Sequence, residues 1–566
     1  MPARAAGATS PIQWIAAVCG TAAARVRRWR ARADRYDLAA LLLFGTLVLL
    51  VAFTFGDYAI SNDEGVQQRY GEMIIAYYAS GFTDQALFHF RNLFLYGGLF
   101  DVVAVGLEKL LPLDIYAVRH LLSALTGLSG IAAVWATARA IGGSRAGLLA
   151  AAALAVCGTW YGAMFNHTKD IPFAAAMIGA LYLLVLIGRE LPRPRWRLVL
   201  LFGVVCGCAL GIRVLGLFLL SYAVLAVALH VPIGRQASWR GALLFAARSA
   251  VPFAAAFAVA YVIMIAAWPW AGLAPLNPLR GLMTFVDFNY PIQTMLAGHV
   301  YHMGDVPRWY VPTYMVIKLT LWLLIGAGLA VVFAVLPHRA GGPADNAWRK
   351  ETALVAFAAF FPLICEVVLA GPAFSGMRHF LFTVPPIAVL AGLGIDGMLR
   401  RLEAREWKLA AVAAAIVLVG LGWNASTLYR LHPDEYLFFS PVVGGLTGAT
   451  RQYDTDYWAN SLPEALADLE RYLDRTEGPW GKATPRHRYT VAICSEPLQF
   501  ERQADDARLA WTRDSHHADF FIAPTNVNCD RAVDGKVVAT VTRLGVVIGV
   551  VKDRRAEVRR SAARVQ

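Results

Sequence analysis

Apolar runs of membrane-spanning length recur along this chain, and short loops rich in Arg and Lys separate them. A helix needs about 20 mostly apolar residues to cross the hydrocarbon layer, and by that rule about eleven spans are expected. They lie at 38–56, 121–138, 146–160, 172–187, 198–212, 215–230, 242–268, 311–336, 352–370, 380–398 and 409–423. Hydrophobic residues make up 58% of the chain and charged residues 16%, which excludes an ordinary soluble protein of 566 residues.

The loops fix an orientation. Arg25–Arg35 precedes the first run, and the loops 139–145, 189–197, 235–240, 338–350 and 400–408 fall on the same side as that arm. All of them carry Arg or Lys, so this side is expected to be cytoplasmic. The alternate loops, including 57–120, 161–171, the turn at Arg213, 269–310 and 371–379, face outward with the C-terminal region. The net charge of +13 is explained by these basic loops, and no nucleic-acid partner is expected. The chain divides into a cytoplasmic basic arm (1–37), a transmembrane domain (38–424) and an extracytoplasmic α/β domain (425–566).

Within the first outer loop, 67–78 reads as an amphipathic helix at the interface. The stretch 96–111 is apolar but holds Asp101, Glu108 and Lys109, so a second interfacial or re-entrant helix is expected there. In the C-terminal domain, 461–475 reads as a helix with Ser461 as N-cap and Glu464 completing a capping box. Strands are expected at 489–494, 519–523, 537–541 and 546–551, and the basic tail 554–566 is expected to fray. Of seven cysteines, Cys494 and Cys529 lie in this outer domain and can pair there. Cys206-Gly-Cys208 lacks further ligands and reads as small apolar residues.

Several polar sites interrupt the apolar pattern on the side expected to face outward. Asp63 and Glu64 stand side by side just after the first run. Their ordinary role would be a solvated loop or a helix N-cap. In a chain this poor in charge, a carboxylate pair beside a membrane span instead suggests a general base with an orienting partner. Asn166-His167-Thr168-Lys169-Asp170 precedes Pro172, which suits the first turn of a helix. A helix N-terminus with a Lys beside it is a phosphate site, although a Lys169–Asp170 pair with no further role is equally ordinary. Arg213 lies in a nearly apolar turn and needs an anionic partner, and Arg378-His379 repeats that situation. His299 and His302 are three apart, which on a short helix would suit a metal.

The motifs resemble a known family. Asp63-Glu64 after the first span, Arg119-His120-Leu121 opening the second and Lys169-Asp170-Ile171-Pro172-Phe173 opening the fourth are similar to those of the GT-C glycosyltransferases. The likeness is to the protein O-mannosyltransferase and lipid A aminoarabinose transferase superfamily. Pro307-Arg308-Trp309-Tyr310, Arg378-His379-Phe380-Leu381 with Pro385-Pro386, and the later run His432-Pro433-Asp434-Glu435-Tyr436 with Asp454-Thr455-Asp456-Tyr457-Trp458 extend it over most of the chain.

The resemblance implies a bacterial inner-membrane enzyme with a polyprenyl-phosphate-linked sugar donor and an inverting transfer to an extracytoplasmic glycan, lipid or protein. It implies catalytic roles for Asp63, Glu64 and Asp170, and donor-phosphate contacts from Lys169, Arg213 and Arg378. His167, Tyr310 and His379 are expected near the acceptor or sugar. A divalent metal stays open. Alternative classes are a polyprenyl-lipid flippase, which needs polar groups through the bilayer thickness, and a ligase that moves a preassembled glycan.

Overall fold

The computed structural model describes residues 33–232, 238–286, 290–336, 343–478, 488–504 and 507–565. Most of the N-terminal basic arm lies outside them, as do parts of the loops at 235–240 and 338–350.

The molecule is a polytopic helical membrane protein with a small C-terminal α/β domain. Among the described residues, seven helices are long and apolar enough to cross a membrane: Arg35–Thr54, Ile115–Gly142, Asp170–Gly188, Trp239–Ala267, Asp345–Leu369, Arg378–Arg405 and Trp407–Leu431. Two shorter apolar helices, Trp196–Leu210 and Val214–His230, match the fifth and sixth expected spans.

The third and eighth expected spans are corrected, because each is broken. Ser144–Ala155 is followed by Gly158–Asn166 at an angle of 67°, and Tyr310–Lys318 by Leu321–Val335 at 111°. Lys318 accounts for the second break. It is the lone charge in its apolar run, and its ammonium donates to the Tyr436 carbonyl at 2.6 Å and lies 3.9 Å from the centre of the Phe439 ring. Those partners belong to the C-terminal segment, so the helix turns toward them instead of continuing straight.

The Val384–Arg405 helix sits at the centre of the bundle. A Cβ at Gly394 would collide with the Gly326 carbonyl, and one at Gly392 with the Ala146 carbonyl. Glycine there lets three helices touch through their backbones, the usual means of close helix packing where lipid supplies no hydrophobic drive.

Among the described residues, the basic ends at 139–145, 189 and 400 meet at one end of this bundle. Arg139 pairs with Asp37 at 2.7 Å, Arg145 and Arg400 each reach Asp396 at 2.6 Å, and Arg189 pairs with Glu351 at 2.8 Å. The polar clusters at 63–64, 166–170, 213 and 378 gather at the opposite end.

There, the helix Glu64–Ala79 covers the expected amphipathic stretch. The helix Leu99–Glu108 has ten residues, too few to span, and its Asp101 is buried against Arg119 at 2.7 Å. Two expectations for this end are overturned. His299 and His302 lie on a strand of the hairpin Gln293–Leu296/His299–His302, where residues three apart point to opposite faces. Asp170 is paired with arginines, as described below, so Lys169 is not a snorkelling partner for it.

The C-terminal domain is a five-stranded sheet in the spatial order Leu509–Trp511, Tyr489–Ile493, Phe520–Pro524, Val546–Asp553, Lys536–Arg543. The first three strands are parallel and the last two antiparallel. Leu509–Trp511 was not expected, since three residues are too few to show a period. Across the sheet lies the helix Leu462–Glu477, with Leu462, Ala465, Leu466, Leu469 and Leu473 buried on one face.

Ser461 precedes that helix but makes no side-chain cap, and the Glu464 carboxylate goes to Arg543 at 2.8 Å, so the expected capping box is absent. The tail is also corrected. Arg555–Val565 is helical, anchored by Arg555 to Glu477 at 2.6 Å and Asp553 at 2.7 Å. Cys494 and Cys529 are joined in a disulfide with Cα atoms 6.5 Å apart.

Candidate active site

Four segments far apart in sequence meet at the end of the bundle opposite the basic loops. Arg378, with its side chain only 8% exposed, lies between two carboxylates: its guanidinium is 3.3 Å from Asp63 and 3.7 Å from Asp170. Asp170 in turn pairs with Arg213. Asp170 is buried, and both arginine side chains are nearly so, which makes the pairing obligatory: an uncompensated charge at that depth is expensive. The Nε atoms of Arg213 and Arg378 are buried and have no hydrogen-bond acceptor. In Arg378 this Nε is the atom that faces Asp170 at 3.7 Å, beyond hydrogen-bonding distance.

Asp63 and Glu64 separate into different roles. Asp63 stands at the N-cap position of the Glu64–Ala79 helix, yet its side chain makes no capping bond, and it stays 43% exposed. Glu64 turns inward and is fully buried. It accepts the Ser61 backbone N–H at 2.7 Å and lies 3.2 Å from His120 Nε2. The adjacent carboxylates are therefore not a shared pair. One stays open to solvent, and the other holds the turn that presents it.

Lys169 is buried just before the Asp170–Gly188 helix, with its ammonium 4.4 Å from the centre of the Tyr96 ring. Burial pushes its pKa down to about 8, with the fields of Asp101 and Asp63 opposing the shift. Asp101 is already held by Arg119 at 2.7 Å, while Gln67 and Gln68 also accept from that arginine.

His167 lies on the wall behind Arg378. Its Nε2 accepts the Trp458 indole N–H at 2.7 Å and stands 2.9 Å from the Tyr457 hydroxyl. Burial, aided by the Arg378 charge, pushes its pKa down to about 3, so the imidazole is neutral. The same Trp458 ring stacks under Arg378, 4.4 Å from the guanidinium carbon. His379 packs edge-on against Phe374, with centroids 4.6 Å apart.

Tyr310 belongs to a separate knot. Its hydroxyl receives the Gly376 N–H at 2.9 Å, lies 3.0 Å from Asp454, and also bonds Thr294. It supports the loop before Arg378 rather than lining the opening. Between these groups a cavity of about 20 Å³ is lined by His167, Lys318, Arg378, Asp454 and Tyr457 among others, and has room for about one water.

Asp63, Lys169, Asp170, Arg213 and Arg378 are thus brought together, His167 and His379 flank them, and Glu64 and Tyr310 act from behind. Tyr96, Tyr457, Trp458 and Lys318 were not expected as site residues. Only Lys318 carried a signal, as a lone charge in an apolar run. Among the described residues, no group of three or more His, Cys, Asp or Glu is arranged to hold a metal.

The family model for dolichyl-phosphate-mannose-protein mannosyltransferases matches residues 114–270, a stretch that includes the Arg119, Lys169–Pro172 and Arg213 motifs. The chain is similar to that family. The resemblance read from the motifs holds over this stretch, which ends before Arg378 and begins after Asp63. No curated protein sequence matches.

Among solved structures, ArnT from Cupriavidus metallidurans bound to undecaprenyl phosphate is 17% identical with a TM-score of 0.46, covering 91% of this chain and 98% of that one. The Archaeoglobus fulgidus oligosaccharyltransferase in the apo form is 14% identical with a TM-score of 0.47, covering 84% of this chain and 64% of that one. The mycobacterial arabinofuranosyltransferase AftD is 14% identical with a TM-score of 0.41, covering 91% and 41%.

Proposed function

We propose that this chain is an integral-membrane glycosyltransferase that moves a sugar, with inversion, from a polyprenyl-phosphate donor to an extracytoplasmic acceptor. The carrying observation is the position of Arg378 between Asp63 and Asp170, with Arg213 on the far side of Asp170. A half-exposed carboxylate thereby stands next to a buried cluster of cations. That is the charge arrangement a transfer between a neutral hydroxyl and a phosphate leaving group requires.

In this reading Asp63 takes the proton of the acceptor hydroxyl. The hydroxyl oxygen forms its bond to the anomeric carbon as the bond from that carbon to the phosphate oxygen breaks. The electron pair leaves with the polyprenyl phosphate. One displacement inverts the anomeric centre. Lys169, Arg213 and Arg378 carry the charge that develops on the phosphate, and preorganised cations in a buried site do this without reorganising. The Arg213 Nε, buried without an acceptor, suits a phosphate oxygen. Asp170 keeps both arginines in place.

The lipid tail has a matching surface. An apolar groove of about 550 Å³ is lined by Leu217, Leu220, Val224, Leu225, Ala228 and Phe357, and Leu217 follows Arg213 by four residues. A phosphate held at Arg213 would leave its prenyl chain at the mouth of that groove. The basic end of the bundle would then face the cytoplasm of a bacterial inner membrane, and the site and C-terminal domain would face the periplasm.

The test uses membranes of cells lacking the chain, which hold both the untransferred donor and the unmodified acceptor. Purified chain added to them should release polyprenyl phosphate and glycosylate an envelope component. Failure to release polyprenyl phosphate from any lipid-linked sugar would overturn the reading.

A further inference from the structure

The loop that carries Asp63 is held from two sides, and one of them is the C-terminal domain. From the membrane side, Glu64 accepts the Ser61 N–H, the Ser61 hydroxyl donates to the Asn166 carbonyl at 3.1 Å, and Asn166 Nδ2 donates to the Ala59 carbonyl at 3.1 Å. From the other side comes the segment 494–503. Gln499 is buried, and its Oε1 accepts the Ile60 backbone N–H at 2.5 Å. The Glu496 N–H donates to Asn62 Oδ1 at 3.3 Å. Leu498 lies so close to Gly65 that a Cβ there would come within 2.7 Å of its Cδ2. Arg502 reaches Asp114 at 3.3 Å. The segment begins at Cys494, which is tied to Cys529.

We propose that Gln499 is a positioning residue for the transfer reaction: through the Ile60 N–H it sets the height of the loop that presents Asp63, three residues further on. The proposal rests on Asp63 being the base. Glu64 and Asn166 hold Ser61 and Ala59 to the membrane half, but neither bonds the Ile60 N–H. Gln499 supplies that contact from the sheet-bearing part of the C-terminal domain, beyond the segment 454–458 that lines the site. A base works only within about 2.6–3.2 Å of its proton, and a displacement of about 1 Å costs on the order of a hundredfold. The side chain is suited to this task because its oxygen reaches the Ile60 N–H, and any acceptor oxygen of the same reach can do the same. The sheet-bearing part of the C-terminal domain is thereby coupled to catalysis without touching substrate.

The experiment compares Gln499→Met, Gln499→Glu and Asp63→Asn in membranes of a strain lacking the chain, supplemented with that strain's lipid extract as donor. Methionine keeps the side-chain length and removes the acceptor, whereas glutamate keeps an acceptor oxygen. Turnover per folded molecule should fall about tenfold in Gln499→Met with the apparent donor KM unchanged, and Gln499→Glu should restore most of it. In the folded Gln499→Met protein, amide exchange should rise at 60–64 and not in the sheet of the C-terminal domain. If methionine prevents folding, Gln499→Ser takes its place, with a side chain too short to reach Ile60. Wild-type turnover in the folded variant, with Asp63→Asn inactive, overturns this proposal and leaves the base assignment standing. An active Asp63→Asn overturns the base assignment, and this proposal with it.

Discussion

Asp63→Asn isolates the proton transfer from everything else the site does. The side chain is 43% exposed and its one ion pair, with Arg378, spans 3.3 Å. An ion pair that open to water contributes about 0–1 kcal/mol to stability. Arg378 is not orphaned by the change, because Asp170 remains 3.7 Å away. The variant should therefore fold, and the donor-phosphate cations should keep their arrangement. Loss of a general base lowers the rate by about 10²–10⁴-fold. That corresponds to roughly 3–5 kcal/mol of barrier, several times the stability cost, so the two effects separate cleanly. The assay is donor binding and single-turnover transfer on purified folded protein, with lipid extract from cells lacking the chain as the donor. Binding should stay within a fewfold of wild type while transfer falls by at least about 10²-fold. Transfer near the wild-type rate would refute Asp63 as the base. Loss of binding in parallel with transfer would show that Asp63 acts by placing Arg378.

Lys169→Ala and Arg213→Ala should each weaken donor binding by about one to two decades, from the roughly 1.5–3 kcal/mol of a charge-assisted hydrogen bond; unchanged affinity per folded molecule would remove the phosphate assignment. Because burial holds Lys169 at about 8, its ammonium is lost as pH rises through that value, and donor affinity should decline above it by up to about tenfold per pH unit. Lys169→Arg should flatten that decline. The stability effect has the opposite sign: the unfolded chain keeps this proton up to the ordinary value of 10.5, so stability should rise with pH between about 8 and 10.5. Unreduced peptide mapping should find Cys494 linked to Cys529, and reduction should cost about 3–4 kcal/mol from the loop it closes; two free thiols in the mature protein would contradict the pairing. Reporter fusions after Arg349 and after Arg475 should report opposite sides of the membrane, and the same side for both would overturn the orientation.

The apolar runs alone determined the class of molecule, since a stretch of that length without charge has few stable places outside a bilayer. The short basic loops determined which helix ends share a face, and their ion pairs, Arg139 to Asp37 and Arg145 to Asp396, are found together. Isolated polar residues in apolar surroundings marked Asp63, Lys169, Asp170, Arg213 and Arg378, because charge near lipid persists only with a partner. What no local pattern carried is who that partner is. Asp170 could have paired with Lys169 one residue away, and it pairs instead with Arg213 and Arg378, which only the packing of three helices brings near. Asp63 and Glu64 are identical in local chemistry and differ only in the direction the turn points them. The break after Lys318 and the reach of Gln499 to Ile60 depend on segments more than 100 residues away, Tyr436 in the first case and the Asp63 loop in the second. Period and composition report what a residue avoids, whereas the bonds that give it a role are made across the fold.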